Sequence, residues 1–490
     1  MNRFVLDWLR GDERFLARAS HGDRVKKTPR PDALVNALDA SNRRWGIFAG
    51  DALRAWGRGE TLTIIAGQQV GFAGGPLYTL AKIATLLRFK RDMEKNGLPV
   101  TAFFWLATED HDFDEVATLN VPVSTLASHK DVNRQLDLTC MRAIRGASTR
   151  TTVGSLPVPE ALITQLLALY DLDRPSWLRG GITFRDSFAE LLAGIFGNEL
   201  ILVDALLPEL RREGATLFDR ILGNEEAIQD ALKTRGAALK AAGYNEQVTP
   251  NEEGRYTLLY EIDDAGNRQP PTSSRQPERT STTALTRPLL QDAVLQPDIF
   301  VGGPAEVSYY AQLQPLHALL EIPAPRVALR GHVLVAPKRV TRALARYDIA
   351  PADVFQSVDT LLAEQEPADV ARIREIAEQG RRELIARVEE IGELALPADH
   401  SLSNKIGRSI GHLEFHFDKL SERAIQGLVR KNRERFTAAR EVVATLYPDR
   451  HVQDRVVSWF AYWCRHQTHL IERVLEEVEV DSDHFRIVEL

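Results

Sequence analysis

The side chains best equipped for chemistry lie together in Glu109-Asp110-His111-Asp112-Phe113-Asp114-Glu115, five carboxylates and one histidine in seven positions. Like charges this close oppose one another unless a cation, a metal or an amine ligand offsets them. Between carboxylates, His111 would have its protonated form favoured and could act as a general acid or charge stabiliser. Two other stretches are rich in glycine. Gly67 to Lys82 reads GQQVGFAGGPLYTLAK, with Gly67, Gly71, Gly74 and Gly75 around the neutral pair Gln68 and Gln69, and Gly302 to Tyr310 reads GGPAEVSYY, containing Gly303, Pro304 and Glu306. Such loops either turn tightly or let a ligand approach bare backbone, and a helix starting after one offers N–H groups to an anion. Just upstream of the second loop, STTALTR adds hydroxyls and the cation Arg287. Neither loop is G-x-G-x-x-G, and neither ends in Gly-Lys-Ser/Thr, so no dinucleotide fingerprint or P-loop is present.

Each feature alone has a plainer reading, a solvated acidic turn or a strand-to-helix turn. What favours a site is that all three fall at the ends of strands. Two histidine groups, His412 with His416 and Cys464 with His466 and His469, are read as structural. Two ligands on one helix face need a third, and HLEFH lacks the glutamate directly after the first histidine that a metalloprotease helix uses. No resident metal is assigned.

The elements that must position these loops follow from periodicity. Thr61 to Ala66 (TLTIIA) is a short β-branched run, Pro76 to Lys95 has helical spacing through Leu77, Leu80, Ile83 and Leu87, and Val100 to Ala107 (VTAFFWLA) is almost continuously apolar. Strand, loop, helix and doubly buried strand make a βαβ unit and so a parallel sheet. The rhythm returns at Phe184 to Asp204 and at Asp298 to Gly302, with a helix following the second. Residues 123–179 and 208–291 read as insertions, the second with a hairpin in TLLYEIDDAGNRQ, and GNRQPPTSSRQPERTSTT reads as a mobile polar loop. After about residue 350 Glu, Arg, Ala and Leu dominate, with helical spacing over Val370 to Leu394 and Ser403 to Leu446. That pattern predicts an antiparallel helical hairpin or coiled coil. A further helix over Gln453 to Val478 and a last strand, HFRIVEL, are expected. The predicted domains are a core over 1–350, a helical coiled-coil domain over 351–470 and a tail over 471–490 that returns to the core.

With 490 residues the chain exceeds the size of one ordinary core. A net charge of -7 gives no support to a nucleic-acid binder, and apolar runs are broken by charge before membrane-span length. Two cysteines, Cys140 and Cys464, rule out a disulfide scaffold and fit a reducing cytosol, and the first residues, MNRFVLDWLRGDERF, carry no secretion signal. A cytoplasmic protein is expected.

GQQVGFAGGPLY, FFWLATEDHDFDEV, TRPLLQD, FVGGPAEVSYYAQL and QDRVVSWFAYW, in that order, resemble the bacillithiol biosynthesis cysteine-adding enzyme (BshC) family from about residue 60 to the C-terminus. Ala305 departs from the glycine of the family pattern. The resemblance implies an α/β fold with a Rossmann-like parallel-sheet core, similar to nucleotidyltransferases and class I synthetases, inserted connecting segments, and a C-terminal coiled coil used for homodimerisation. It also implies a ligase that joins L-cysteine to glucosaminyl-malate in the last step of bacillithiol synthesis. Carried across on matching motif positions, Glu109, Asp110, His111 and Asp112 become candidate catalytic residues. Gly67, Gln68, Gln69, Gly71, Gly75, Gly303, Pro304 and Glu306 become candidate substrate or nucleotide contacts. A free carboxylate does not form an amide unactivated, so ATP is expected to convert cysteine to an acyl-adenylate or acyl-phosphate. Phosphates would lie on the glycine loop, the sugar ammonium on the acidic cluster, and Mg²⁺ could serve the same carboxylates. A catalytically silent Rossmann-like and coiled-coil scaffold, or a nucleotidyltransferase acting on another amine, are the alternatives, the absence of HIGH- and KMSKS-type signatures favouring the first a little.

Overall fold

The computed structural model describes residues 2–16, 27–116, 118–122, 133–137, 151–272, 276–355, 368–399, 402–431 and 433–490. The chain divides into two compact units, one made of Met1–Val335 with Gln453–Val488, the other of Ala336–Val452.

The first unit is built on five parallel strands: β1 (Leu62–Gln68), β2 (Val100–Leu106), β3 (Ile201–Asp204), β4 (Ile299–Gly302) and β5 (Arg326–Leu329). Their order across the sheet is β5-β4-β1-β2-β3. Read from the other edge it is 3-2-1-4-5, the doubly wound Rossmann order, and the direction of winding reverses between β1 and β4. All seven residues of β2 are buried, which is why its sequence is continuously apolar rather than alternating. The register runs from Leu62 opposite Val100 to Gln68 opposite Leu106, with Ile64 opposite Ile299 on the other side. β1 and β2 thus end level with each other, and β1 lies next to β4, which carries the third predicted loop.

Helix α1 (Leu77–Lys95) follows Pro76 and buries every residue from Leu77 to Leu87 except Tyr78, while its last turns face solvent. Helix α2 (Pro304–Leu319) opens with proline at its first position, and the Glu306 carboxylate reaches back to accept the Gly303 N–H at 2.7 Å. Both are starts that the sequence favours, since proline lacks the N–H that the first turn leaves unused.

Two sequence expectations change here. The hairpin read in TLLYEIDDAGNRQ is present, as Leu259–Ile262 paired with Arg268–Gln269, but the polar stretch read as a mobile loop holds a buried strand, Thr280–Thr282, paired antiparallel to Leu259–Ile262. The Ser281 and Thr282 hydroxyls are buried because they bond a buried ion pair, described below, while that of Thr280 donates to the Gln276 carbonyl; residues 273–275 of that expected loop lie outside the described residues. The helix expected over Gln453 to Val478 is three pieces, Gln453–Val456, Phe460–His466 and Thr468–Glu477. The first break arises because residues 457–459 turn into the core: the Leu77 N–H donates to the Val457 carbonyl and Trp459 Nε1 donates to the Gly74 carbonyl.

The second unit contains α3 (Ala368–Ala395), α4 (Ser403–Lys431) and α5 (Arg433–Leu446). Phe417 lies against Gly380 and Ile406 against Gly392, so contacts descend α4 as they climb α3 and the pair is an antiparallel hairpin. The unit begins ahead of the composition shift at 351, because the helix Lys338–Tyr347 packs on α5. Among the described residues no helix is long and apolar enough to cross a membrane.

Candidate functional site

The ends of β1, β2, β4 and β5 surround a cavity of about 330 Å³. It lies where ligands collect on sheets of this order, outside the carboxyl ends of the strands and at the reversal between β1 and β4. The end of β1 gives Gly67 and Gln68, with Gln69 just after it; after β2 come Ala107 and Asp110; after β4, Gly303, Pro304, Ala305 and Glu306; after β5, Arg330. Tyr78 and Lys82 from α1, Tyr309 from α2, Arg287 and Arg455 complete the lining.

Lys82 organises the cavity wall. Its Nζ donates to the Gly67 carbonyl at 3.0 Å and to Gln68 Oε1 at 2.9 Å, and pairs with Glu306. Gln68 in turn donates from Nε2 to the Tyr78 hydroxyl at 3.0 Å. Burial pushes the lysine below its ordinary value and the charges of Arg330 and Arg287 add to that, while Glu306 opposes them. Arg287 donates to the Tyr309 hydroxyl at 2.6 Å. Burial works against its charge, yet Tyr309, Glu306, Tyr310 and Asp110 together outweigh burial and hold the guanidinium firmly charged. Arg330 pairs with Asp454 at 2.9 Å, and Arg455 is exposed with no ion-pair partner among the described residues. Four cations therefore face two carboxylates, and one of those, Glu306, is already held by Lys82. Gln69 donates from Nε2 to the Asp112 carbonyl at 2.7 Å, and its buried Oε1 has no donor among the described residues. The cavity can thus bind anionic groups at several points, accept a hydrogen bond at Gln69, and hold an amine at Asp110.

Of the sequence candidates, Gly67, Gln68, Gln69, Asp110, Gly303, Pro304 and Glu306 line this cavity, and Glu109, His111, Asp112, Gly71 and Gly75 do not. Glu109 turns inward. Its carboxylate meets Arg211 at 2.9 Å and accepts from Ser281 Oγ (3.0 Å), the Thr282 N–H (3.0 Å) and Thr282 Oγ1 (2.5 Å). The crowding of the acidic run is thus relieved by a protein cation. His111 Nδ1 is 2.5 Å from Arg268 Nη1, and since arginine can only donate, that nitrogen accepts; the contact belongs to the neutral ring and opposes the protonated form expected from the flanking carboxylates. Asp112 is exposed beside the cavity and contributes its carbonyl to Gln69.

Gly71 and Gly75 belong to the turn itself: a Cβ on Gly71 would lie 3.2 Å from the Gly75 Cα. In that loop the Gly74 carbonyl accepts from Trp459 Nε1, the Gly75 N–H donates to the Phe72 carbonyl at 3.1 Å, and the first N–H of α1 donates to the Val457 carbonyl. Tyr78, Lys82, Ala107, Ala305, Tyr309, Arg330 and Arg455 were missed by sequence reading, and Arg287 was noted only as an upstream cation. Lys82 carried a signal, a lysine inside an otherwise buried helical face. Among the described residues no three of His, Cys, Asp and Glu come together as a metal site, the histidine groups included.

Comparison with known proteins agrees with this architecture. A family model described as "Bacillithiol biosynthesis BshC, N-terminal Rossmann-like domain" matches residues 9–269 and 271–331, and one described as "Bacillithiol biosynthesis BshC, C-terminal coiled-coil domain" matches residues 333–490. Similar full-length proteins named "Putative cysteine ligase BshC" occur in Solibacter usitatus (27% identical, covering 98% of this chain and 93% of the relative), Symbiobacterium thermophilum (29%; 98% and 93%) and Bacillus cereus (26%; 91% and 88%). With both domain models matched across nearly the whole sequence, the chain belongs to the bacillithiol biosynthesis BshC family.

Proposed function

We propose that this protein is a cytoplasmic cysteine ligase that joins L-cysteine to glucosaminyl-malate through an amide bond, with ATP activating the cysteine carboxylate. The observation that carries the reading is the charge pattern of one cavity: Asp110 beside a set of four cations at the reversal point of a Rossmann sheet. Glucosaminyl-malate brings an ammonium and two carboxylates, the complement of that pattern. Asp110 accepts the ammonium and then its proton, freeing the amine as nucleophile. Arg287, Arg330 and Arg455 hold carboxylate or phosphate oxygens, as guanidinium groups do through paired donors. Gln69 Oε1 takes a hydroxyl or N–H of the substrate.

ATP enters as a co-substrate. Attack of the cysteine carboxylate on a phosphorus yields an acyl-adenylate with release of pyrophosphate, or an acyl-phosphate with release of ADP. The amine then displaces the phosphate group and forms the amide. Mg²⁺ would travel with the phosphates, using Asp110 and water rather than a protein cage. The helix start at Gly303 to Glu306, which lines the cavity, supports this use. The reading includes a homodimer through the hairpin, supported by the exposed apolar side chains Ile376, Ile391, Leu394, Phe415 and Leu420 along α3 and α4.

The test is to incubate the purified protein with cysteine and glucosaminyl-malate, with and without ATP, and to follow masses. Formation of the amide-linked thiol only with ATP is expected. Nucleotide turnover without that product would favour a transferase acting on another amine.

A further inference from the structure

The glycines in and beside the cavity differ in whether the protein itself requires them. A Cβ on Gly67 would lie 2.9 Å from Trp105 Cβ, and one on Gly302 would lie 2.7 Å from the Phe300 ring, so packing excludes a larger residue at both. Gly303 is not constrained in this way. Its backbone, φ -78° and ψ 174°, suits any L residue. A Cβ there would meet only Glu306 Oε2 at 3.4 Å, Arg330 Nε at 3.7 Å and Lys82 Cε at 4.0 Å, all ordinary contacts. The fold leaves a small space that it does not need, bounded by two cations and a carboxylate, and that space adjoins the cavity.

Arg330 gives the space its chemistry. Its Nη2 donates to Asp454 at 2.9 Å and its Nη1 to the Gly331 carbonyl at 2.9 Å, while its Nε is buried with no acceptor among the described residues. Both side chains of the Arg330–Asp454 pair are at most 3% exposed, and the guanidinium lies over the Tyr78 ring at 5.5 Å. A buried charged donor left without an acceptor is a costly feature that a fold retains for a reason. Here the donor nearest the space beside Gly303 is the one left over, and the first turn of the 16-residue helix α2 faces the same place.

We propose that the space beside Gly303 is an oxyanion subsite, which takes a carboxylate or phosphate oxygen of a substrate against Arg330 Nε, and that Asp454 is the positioning residue that holds Arg330 for it. This deepens the ligase reading of the cavity and rests on it. A carboxylate oxygen would come from the malate end of the acceptor, and a phosphate oxygen from the nucleotide.

Calorimetric titration of L-malate and, separately, of ADP into the full chain tests this, using wild type, Gly303→Ala, Arg330→Met, Asp454→Asn and the Arg330→Met/Asp454→Asn double variant. Gly303→Ala is expected to keep the wild-type melting temperature and to weaken the bound anion at least about tenfold, because its methyl fills the space. Arg330→Met should weaken it about ten- to a hundredfold, the scale of one charged hydrogen bond. Asp454→Asn should weaken it in wild type and add nothing to Arg330→Met, which a merely structural role would not produce. Loss confined to malate assigns the carboxylate, loss confined to ADP assigns the phosphate, and loss of both assigns a shared subsite. The inference is overturned if wild type binds neither anion, if Gly303→Ala binds both like wild type or melts lower, or if Asp454→Asn weakens binding by the same factor in both backgrounds. Since the readout is binding, a protein that shows these losses but makes no thiol product would overturn the ligase reading alone.

Discussion

Glu109 and Arg211 form an ion pair of 2.9 Å in which neither side chain is more than 3% exposed. Removing the charge from one member of such a pair strands the other, at a cost of about 3–5 kcal/mol. Glu109→Gln is therefore expected to lose stability in urea unfolding on that scale. An unchanged unfolding midpoint would show that Glu109 is not the internal partner of Arg211.

A sharp contrast is expected between two glycines. Gly74 has φ +81° and a Cβ there would lie 2.6 Å from the Trp459 ring, so Gly74→Ala meets both an unfavourable backbone and a clash. The two effects together cost about 2–5 kcal/mol. Thermal unfolding of Gly74→Ala beside Gly303→Ala, the second expected to melt like wild type, checks which glycine the fold needs.

These glycines show what was legible in the sequence and what was not. The β-branched run TLTIIA and the continuously apolar FFWLA read as strands, and Pro76 and Pro304 as helix starts, so the βαβ frame and the loops at its strand ends were readable from local pattern. Which glycines turn the chain and which face a ligand was not, because that depends on Trp459, hundreds of residues away. The same holds for Arg330 and Arg455, one held by Asp454 and the other its chain neighbour. Thr280–Thr282 and Arg268 look like loop because they are polar, but Glu109 turns inward to meet Ser281 and Thr282, and Arg268 in turn donates to Ser281 Oγ. An acidic run gives no sign of which carboxylate will do so.

His332 makes stability depend on pH. Burial, joined by the charge of Arg330, pushes its imidazole down to about 4 from 6.5, against the pull of Asp454. A folded value below the unfolded one means that stability is complete above pH 6.5 and is lost as pH falls from there through 4, by up to about 3 kcal/mol. Asp454, itself held below the carboxylate range by Arg330 against the opposing effect of burial, acts in the same direction. Unfolding free energies of wild type and His332→Gln between pH 7 and 4 should converge in slope at the top of that range, with the variant the flatter of the two below 6.5. Parallel curves would contradict the buried neutral imidazole.

The hairpin exposes Ile391 at 62% and Leu394 at 80%. Lysine at both positions is expected to convert a dimer to a monomer in light scattering behind size exclusion, with little change in melting. A wild-type monomer would leave these side chains without the proposed partner.

The most direct measurement is the rate at which wild type and Asp110→Asn convert cysteine, glucosaminyl-malate and ATP to the amide-linked thiol, followed by mass. Asp110 lines the cavity, and the Asp112 N–H that its Oδ1 accepts at 3.0 Å can be accepted by an asparagine oxygen as well, so the variant should unfold like wild type while its turnover falls about 10²–10⁴-fold, the scale of a lost proton acceptor. Wild-type turnover by Asp110→Asn would contradict the placement of the reaction in this cavity.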